Sequence, residues 1–126
     1  MIIINKHDYK NCKAFLDNYY LGRIEYDKDI IFIVEEDNKK LGYIIVTKNN
    51  KIASIKDLFV LENYRNMNFG DGLIRTALNS LRLDNINKVF YKNNCDYLLR
   101  KGFIKNDDNL ECIIEDFFSK HNCKRR

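Results

Sequence analysis

The strongest constraint on how this chain folds is a change of hydrophobic period between residues 52 and 83. Residues 52–61 form a run rich in β-branched and apolar side chains and read as a strand. From residue 72 to residue 83 the apolar positions Leu73, Ile74, Ala77, Leu78 and Leu81 recur about every 3.6 residues, with Arg75, Asn79 and Arg82 off that face, which is the pattern of an amphipathic helix. Between them lies a polar stretch containing Tyr64, Arg65, Asn66, Met67, Asn68, Phe69, Gly70, Asp71 and Gly72, so a strand passes through one loop directly into the clearest helix of the chain. A helix entered this way aims its unpaired first-turn amides, and the positive end of its dipole, at whatever occupies the loop. Gly70 and Gly72 are expected to give positive φ or close backbone approach, and Arg65 a fixed positive charge with several donors. A pyrophosphate suits such a loop best. On spacing alone, a solvated loop whose glycines only make the turn fits equally well.

The flanking segments supply the rest of the sheet. Residues 2–4 read as a short strand, and residues 8–20 as an amphipathic helix with Cys12, Phe15, Leu16 and Tyr19 on one face and His7 or Asp8 as its cap. Residues 30–35 and 41–47 are β-branched runs separated by Glu36-Asp37-Asn38-Lys39-Lys40, a hairpin; Lys48-Asn49-Asn50-Lys51 joins the second to the run at 52–61 and makes a meander. Downstream the pattern predicts a strand at 88–91, a short helix at 96–101 ended by Gly102, and two closing strands, around Phe103-Ile104 and over 111–118. The order β-α-β-β-β-α-β-α-β-β implies an α+β (mixed α/β) sheet with helices on its faces. No repeat, low-complexity tract or linker divides the chain, so residues 1–126 are expected to form a single domain.

Composition narrows the class of function. With 45% hydrophobic and 32% charged residues the chain is neither disordered nor collagenous. No apolar run approaches the ~20 residues that span a bilayer, which points to a soluble, cytoplasmic protein without a membrane partner. Basic residues exceed acidic ones by 22 to 18, a net charge of +4. That excess mildly favours anionic ligands, but no aromatic-basic stripe or reading helix points to nucleic acid. Cys12, Cys95, Cys112 and Cys123 lie at wide, irregular spacings without a C-x-x-C pair and read as free thiols. No metal site is expected; the loosest grouping, Cys112 with His121 and Cys123, lacks a fourth ligand. His7 and His121 each stand beside a terminus with no evident partner, and Tyr19-Tyr20 and Phe117-Phe118 read as core or pocket-wall residues.

Residues 57–73 resemble motif A of the GNAT superfamily of N-acetyltransferases, in which a strand leads through Y-R to a glycine-containing loop and a helix. The matching residues are Leu58, Val60, Tyr64, Arg65, Gly70 and Leu73; Asn68 replaces the first glycine of the usual R-x-x-G-x-G core, and asparagine tolerates left-handed backbone better than most residues. Residues 94–103 resemble the family's A-x-x-f-Y-x-k-x-G-F segment, and the two motifs together cover residues 52–104.

The resemblance implies a GNAT-like central, mostly antiparallel sheet with helices on both faces. It also implies acetyl-CoA as cosubstrate, held by Phe59, Val60, Arg65, Asn66, Met67, Asn68, Phe69, Gly70, Asp71 and Gly72. The pantetheine arm would pair as an added strand in a gap between the strand ending at Val60 and the strand at 88–91, with the thioester near Val60. Such enzymes transfer acetyl directly to an amine, here a primary amine of a small molecule, peptide or protein, without a metal. The superfamily often forms homodimers. The family's usual tyrosine position holds Leu98, so Tyr97 or Tyr91 replaces it as proton donor, or water protonates the thiolate; Asp57 is the candidate base. Glu35, Asp107 and Glu111 are candidate contacts for a cationic acceptor. The segment before the second strand is short where the family commonly has two helices, which leaves a GNAT-shaped acetyl-CoA-binding module with little or no transfer as the alternative.

Overall fold

The structure, a computed structural model, describes residues 1–123 and the side chains of residues 1–119. Its elements in chain order are β1 (Ile2–His7), α1 (Tyr9–Asp17), β2 (Asp29–Glu36), β3 (Lys39–Asn49), β4 (Ile52–Val60), α2 (Phe69–Leu83), β5 (Lys88–Tyr91), α3 (Asp96–Arg100), β6 (Ile104–Asn106), β7 (Asn109–Ile113) and α4 (Ile114–Cys123). The strands form one sheet in the order β1-β2-β3-β4-β5-β7-β6. Every neighbouring pair is antiparallel except β4 and β5. The fold is therefore the α+β arrangement expected, with helices on both faces.

Strand alternation divides the core between those faces. Ile30, Phe32, Val34, Ile44 and Val46 pack under α2 together with its Leu73, Ile74, Ala77, Leu78 and Leu81, and Leu98 of α3 and Phe117 of α4 join them. Ile31, Ile33, Tyr43 and Ile45 point the other way and pack against Cys12 and Leu16 of α1. Two bulges interrupt this alternation. Pairing steps from Val34–Gly42 to Glu35–Lys40, so Leu41 is an extra residue and turns into the α2 side. It steps again from Ile45–Asp57 to Val46–Ile55, which makes Lys56 the extra residue of β4. One inserted residue exchanges the faces of everything beyond it. Ala53 and Ile55 face α2, and after the bulge Leu58 and Val60 do so, while Asp57 and Phe59 go to the α1 side.

Three sequence expectations are corrected here. The closing strand over 111–118 ends at Ile113, and Phe117 and Phe118 lie in α4. Ile114, Phe117 and Phe118 have helical spacing, and Glu115 and Asp116 fall in the first turn, where acidic side chains favour a helix. The helix expected from residue 72 begins at Phe69, with Asn68 as its N-cap. β6 starts after Phe103, which is buried in the core instead. No helix of the described residues is long and apolar enough to cross a membrane.

Gly42 is the tightest point between β3 and β4. A Cβ built there would stand 2.6 Å from the Phe59 carbonyl oxygen and 3.1 Å from the Val60 Cα, both backbone atoms that cannot rotate away. Gly42→Ala is expected to push β4 outward and lower stability by about 1–3 kcal/mol, the range for overpacking a filled site. Chemical denaturation checks this; an unchanged midpoint would show that β4 is not held against β3 at this position.

Candidate active site

β4 pairs with β5 only from Ile52–Lys88 to Ile55–Tyr91. Beyond the bulge the remainder of β4 has no strand partner on that side among the described residues, and a cleft of about 440 Å³ opens in the gap. Leu58 and Val60 line one wall, Tyr91, Cys95, Tyr97 and Leu98 the other, and Tyr64, Arg65, Asn66, Asn68, Phe69 and Gly70 close the end at the start of α2. The direction of the free backbone groups follows from the ladder. Leu61 N–H bonds to the Leu41 carbonyl, so Leu61 points toward β3. Its neighbour Val60 points toward the gap, since successive residues alternate.

The end wall presents free helix amides and a fixed cation, though not through the residues expected to shape it. Asn66 and Asn68 have φ of 71° and 65°, whereas the only described glycine with positive φ is Gly102. The left-handed turns thus fall on asparagines. Asn68 makes no side-chain cap bond and Gly72 N–H closes the first helical bond to Asn68 O, so the amides of Phe69, Gly70 and Asp71 have no intrahelical partner. Gly70 provides close approach: a Cβ there would be 3.0 Å from the Tyr97 hydroxyl. Gly72 lies off the cleft, where a Cβ would meet Ile4 Cδ1 at 2.7 Å, and so serves helix-to-sheet packing rather than a phosphate. Met67 is 55% exposed and does not line the cleft.

Arg65 donates from Nε to the Val60 carbonyl at 2.8 Å, and its guanidinium lies 5.6 Å from the Phe59 ring centroid. This fixes a cation at the mouth of the gap while leaving its terminal nitrogens for another acceptor. Asp71, a carboxylate near the anion site, is turned aside. It accepts from Arg75 Nε at 2.8 Å and from Lys101 Nζ at 3.1 Å. Burial alone would raise its carboxyl, but the hydrogen bonds from Lys101 and Arg75 outweigh it and hold the group below its ordinary range. Arg100 and Lys101 also line the cleft, and sequence reasoning missed them. Their signal is the basic pair before Gly102-Phe103.

The proton-transfer candidates separate in space. Tyr97 stands with its hydroxyl against Gly70, at the anion end. Tyr91 ends β5 where the strands part. Burial raises both phenols above their ordinary range; Asp71 adds to this at Tyr97, and Cys95 and Asp57 at Tyr91. Asp57 lies on the opposite face of β4 from the cleft. It accepts from the buried Tyr43 hydroxyl at 2.6 Å and from its neighbour Leu58 N–H at 3.0 Å. Burial first, then this bond, pushes the Tyr43 phenol far up, so Tyr43 stays a donor. Phe59 shares that face, stacked on Tyr19 at 4.4 Å, so it is a wall of the other side rather than of the cleft. Behind them Lys56 donates to Asp29 Oδ2 and to the Arg23 carbonyl, each at 2.6 Å, tying the segment between α1 and β2 to the bulge.

Two of the three acidic acceptor candidates, Glu35 and Glu111, have other partners. Glu35 takes a 3.1 Å contact from His7 Nε2, which also corrects the reading of His7 as unpartnered. Glu111 binds Lys88 and Asn106, and Asp107 occupies a turn at φ 56°. Cys12 and Cys95 are free thiols. Among the described residues no group of three His, Cys, Asp or Glu could hold a metal ion; the side chains of His121 and Cys123 lie outside them.

No curated protein matches the sequence. Among solved structures, a GNAT-family acetyltransferase from Desulfovibrio desulfuricans superposes with a TM-score of 0.76 at 9% identity, covering 90% of this chain and 99% of that one. The PaiA N-acetyltransferase of Thermoplasma acidophilum, solved with coenzyme A, gives 0.72 at 11% identity over 90% and 99%. A Brucella melitensis GNAT acetyltransferase, solved with acetyl-CoA, gives 0.69 at 18% identity over 90% and 88%. These likenesses show the fold. The family model for acetyltransferases of the GNAT family matches residues 4–103, most of the chain, and the protein belongs to that family.

Proposed function

We propose that the protein transfers the acetyl group of acetyl-CoA directly to a primary amine of a small molecule, peptide or protein. The observation that carries this reading is the parting of β4 from β5 into a cleft that ends on the unpaired amides of α2. Relatives solved with coenzyme A or acetyl-CoA support the cosubstrate. Acetyl-CoA supplies an activated acyl thioester. The amides of Phe69, Gly70 and Asp71, with Arg65, Arg100 and Lys101 around them, suit its phosphates. The unpaired edge of β4 suits the amide groups of the pantetheine arm, which then carries the reacting carbon inward past Val60 toward Leu58 and Tyr91. Val60 N–H, directed into the gap, is placed to donate to an oxyanion there.

The amine enters from the face that carries Asp57. Its nitrogen attacks the thioester carbon and the carbon–sulfur bond breaks. Asp57 takes the proton lost by the amine, directly or through water, and Tyr91 gives one to the departing thiolate. Tyr97 is assigned to the anion end and not to this step. The alternative, binding without transfer, draws on Leu98, buried where the family's tyrosine commonly stands.

Isothermal titration with acetyl-CoA, and thiol release with a panel of amines, separates the two readings. Arg65→Glu is expected to weaken acetyl-CoA binding about 10–100-fold, the loss of a charge-assisted contact, and Gly70→Val to do likewise by filling the approach to the helix amides. Unchanged affinity in both folded variants would put the cosubstrate elsewhere.

With an acceptor in hand, Tyr91→Phe is expected to lower turnover at saturating acetyl-CoA by about 10²-fold, the contribution of a positioned general acid, while Tyr97→Phe stays within about tenfold. Equal, small effects in both would assign the proton to water.

A further inference from the structure

The short helix α3 sorts its side chains by direction. Leu98 is 1% exposed and packs in the core that α2 covers. Successive helical positions differ by about 100°, so Tyr97 leaves that direction and crosses the cleft toward the first turn of α2. There its hydroxyl oxygen would stand 3.0 Å, and its ring carbon Cζ 3.3 Å, from a Cβ on Gly70. The missing side chain of Gly70 leaves this space open, and the phenol approaches it from the opposite wall. Gly70 is also one of the three residues whose amides have no intrahelical partner.

The ring is held in place while its oxygen is not. Lys101 Nζ lies 5.4 Å and the Arg100 guanidinium 5.9 Å from the Tyr97 centroid, and Lys101 is tied to Asp71 of α2 at 3.1 Å. The half-buried hydroxyl makes no hydrogen bond among the described residues. Its neighbours are chiefly donors: the helix amides and two cations. The charged acceptor on that side, the Asp71 carboxylate, bonds Arg75 and Lys101 instead. Burial first, then the Asp71 charge, pushes the phenol above its ordinary range, so the hydroxyl keeps its proton. A polar group left dry without a partner is costly. An oxyanion lodged between α2 and α3 accepts from both walls at once, from the Gly70 amide on one side and the Tyr97 hydroxyl on the other, with Arg100 beside them.

We infer that Tyr97 is a phosphate ligand, its hydroxyl donating to the diphosphate of acetyl-CoA opposite the first-turn amides of α2. This rests on the reading of the cleft as the acetyl-CoA site, and it gives Tyr97 a share in affinity rather than in turnover. Tyr97→Phe keeps the ring beneath Lys101 and removes only an oxygen that bonds nothing in the protein, so folding is not at stake. Titration calorimetry with two probes tests the inference: CoA, and 3′-phosphoadenosine 5′-diphosphate, which is CoA without its pantetheine arm. Tyr97→Phe should weaken both about tenfold, the lower end for a hydrogen bond to a charged group, and by the same factor to within about twofold. With an acceptor in hand, KM for acetyl-CoA should rise while kcat stays near that of the wild type. Unchanged affinity for CoA would overturn the inference. So would a loss for CoA with none for the nucleotide, which would move the hydroxyl to the pantetheine arm, or a wild type that binds CoA but not the nucleotide. A wild type that binds neither would withdraw the acetyl-CoA reading itself and this inference with it.

Discussion

Everything distinctive about this structure follows from the single residue by which β4 is too long for β3. Lys56 has no counterpart in the ladder, and the resulting bulge bends β4 and exchanges its faces. Leu58 and Val60 turn toward α2 and become the wall of a cleft, while Asp57 and Phe59 turn toward the opposite face. Because the parallel pairing with β5 stops at Ile55–Tyr91, one edge of β4 remains unpaired inside the sheet rather than at its margin. An unpaired edge normally invites aggregation. Here it is enclosed by Tyr91, α3 and the loop before α2, which leaves room for an extended ligand and not for a strand of a second sheet.

The bulge is anchored from behind. Lys56 reaches Asp29, whose side chain is fully buried, and burial works against its ammonium; the bond to Asp29 outweighs this and holds Lys56 protonated. Asp29 in turn accepts from Glu25 N–H at 2.8 Å, so the segment after α1 is fastened to the same point. On the next position of β4, Asp57 receives the Tyr43 hydroxyl, and Tyr43 lies beneath Phe15, Tyr20 and Phe59. Phe15 of α1 and Tyr19 and Tyr20 after it thus lie against the face of the sheet that carries Tyr43, Asp57 and Phe59.

How much of this is legible in the sequence depends on the range of the interaction. The helical period at Leu73, Ile74, Ala77, Leu78 and Leu81 and the alternation in β2 and β3 depend on burial of a face, and both are visible. The bulge leaves only a faint trace: Ala53 and Ile55 keep one alternation and Leu58 and Val60 another, a phase break that a continuous strand over 52–61 overlooks. The ending is ambiguous because Ile113 and Ile114 begin an apolar run that suits either period; the i, i+3, i+4 spacing of Ile114, Phe117 and Phe118 and the acidic pair Glu115-Asp116 favour the helix. In the site, the pattern places strand, loop and helix correctly, but it assigns Gly72 to the ligand when that residue belongs to Ile4. The contact joins residues distant in sequence, and nothing local to the glycine reports it.

The carboxylate of Asp71 is the residue least expected in a loop proposed to hold phosphate, and its surroundings reconcile it. Two cations hold it, so the trio of Asp71, Arg75 and Lys101 carries a net charge of +1. Its lowered carboxyl means that this arrangement is kept through the neutral range and is lost only as acid protonates the group below the unfolded carboxylate range of about 3.9. A carboxylate in the first turn also favours the helix start, whose amides face the loop. By drawing Lys101, the C-cap of α3, onto the first turn of α2, Asp71 clamps the two sides of the cleft at the end where the anion would lie, with the Tyr97 ring packed under the lysine at 5.4 Å. The negative charge therefore orders the positive ones around it, and the field presented to the cleft by Arg65, Arg100 and the helix amides remains favourable to phosphate.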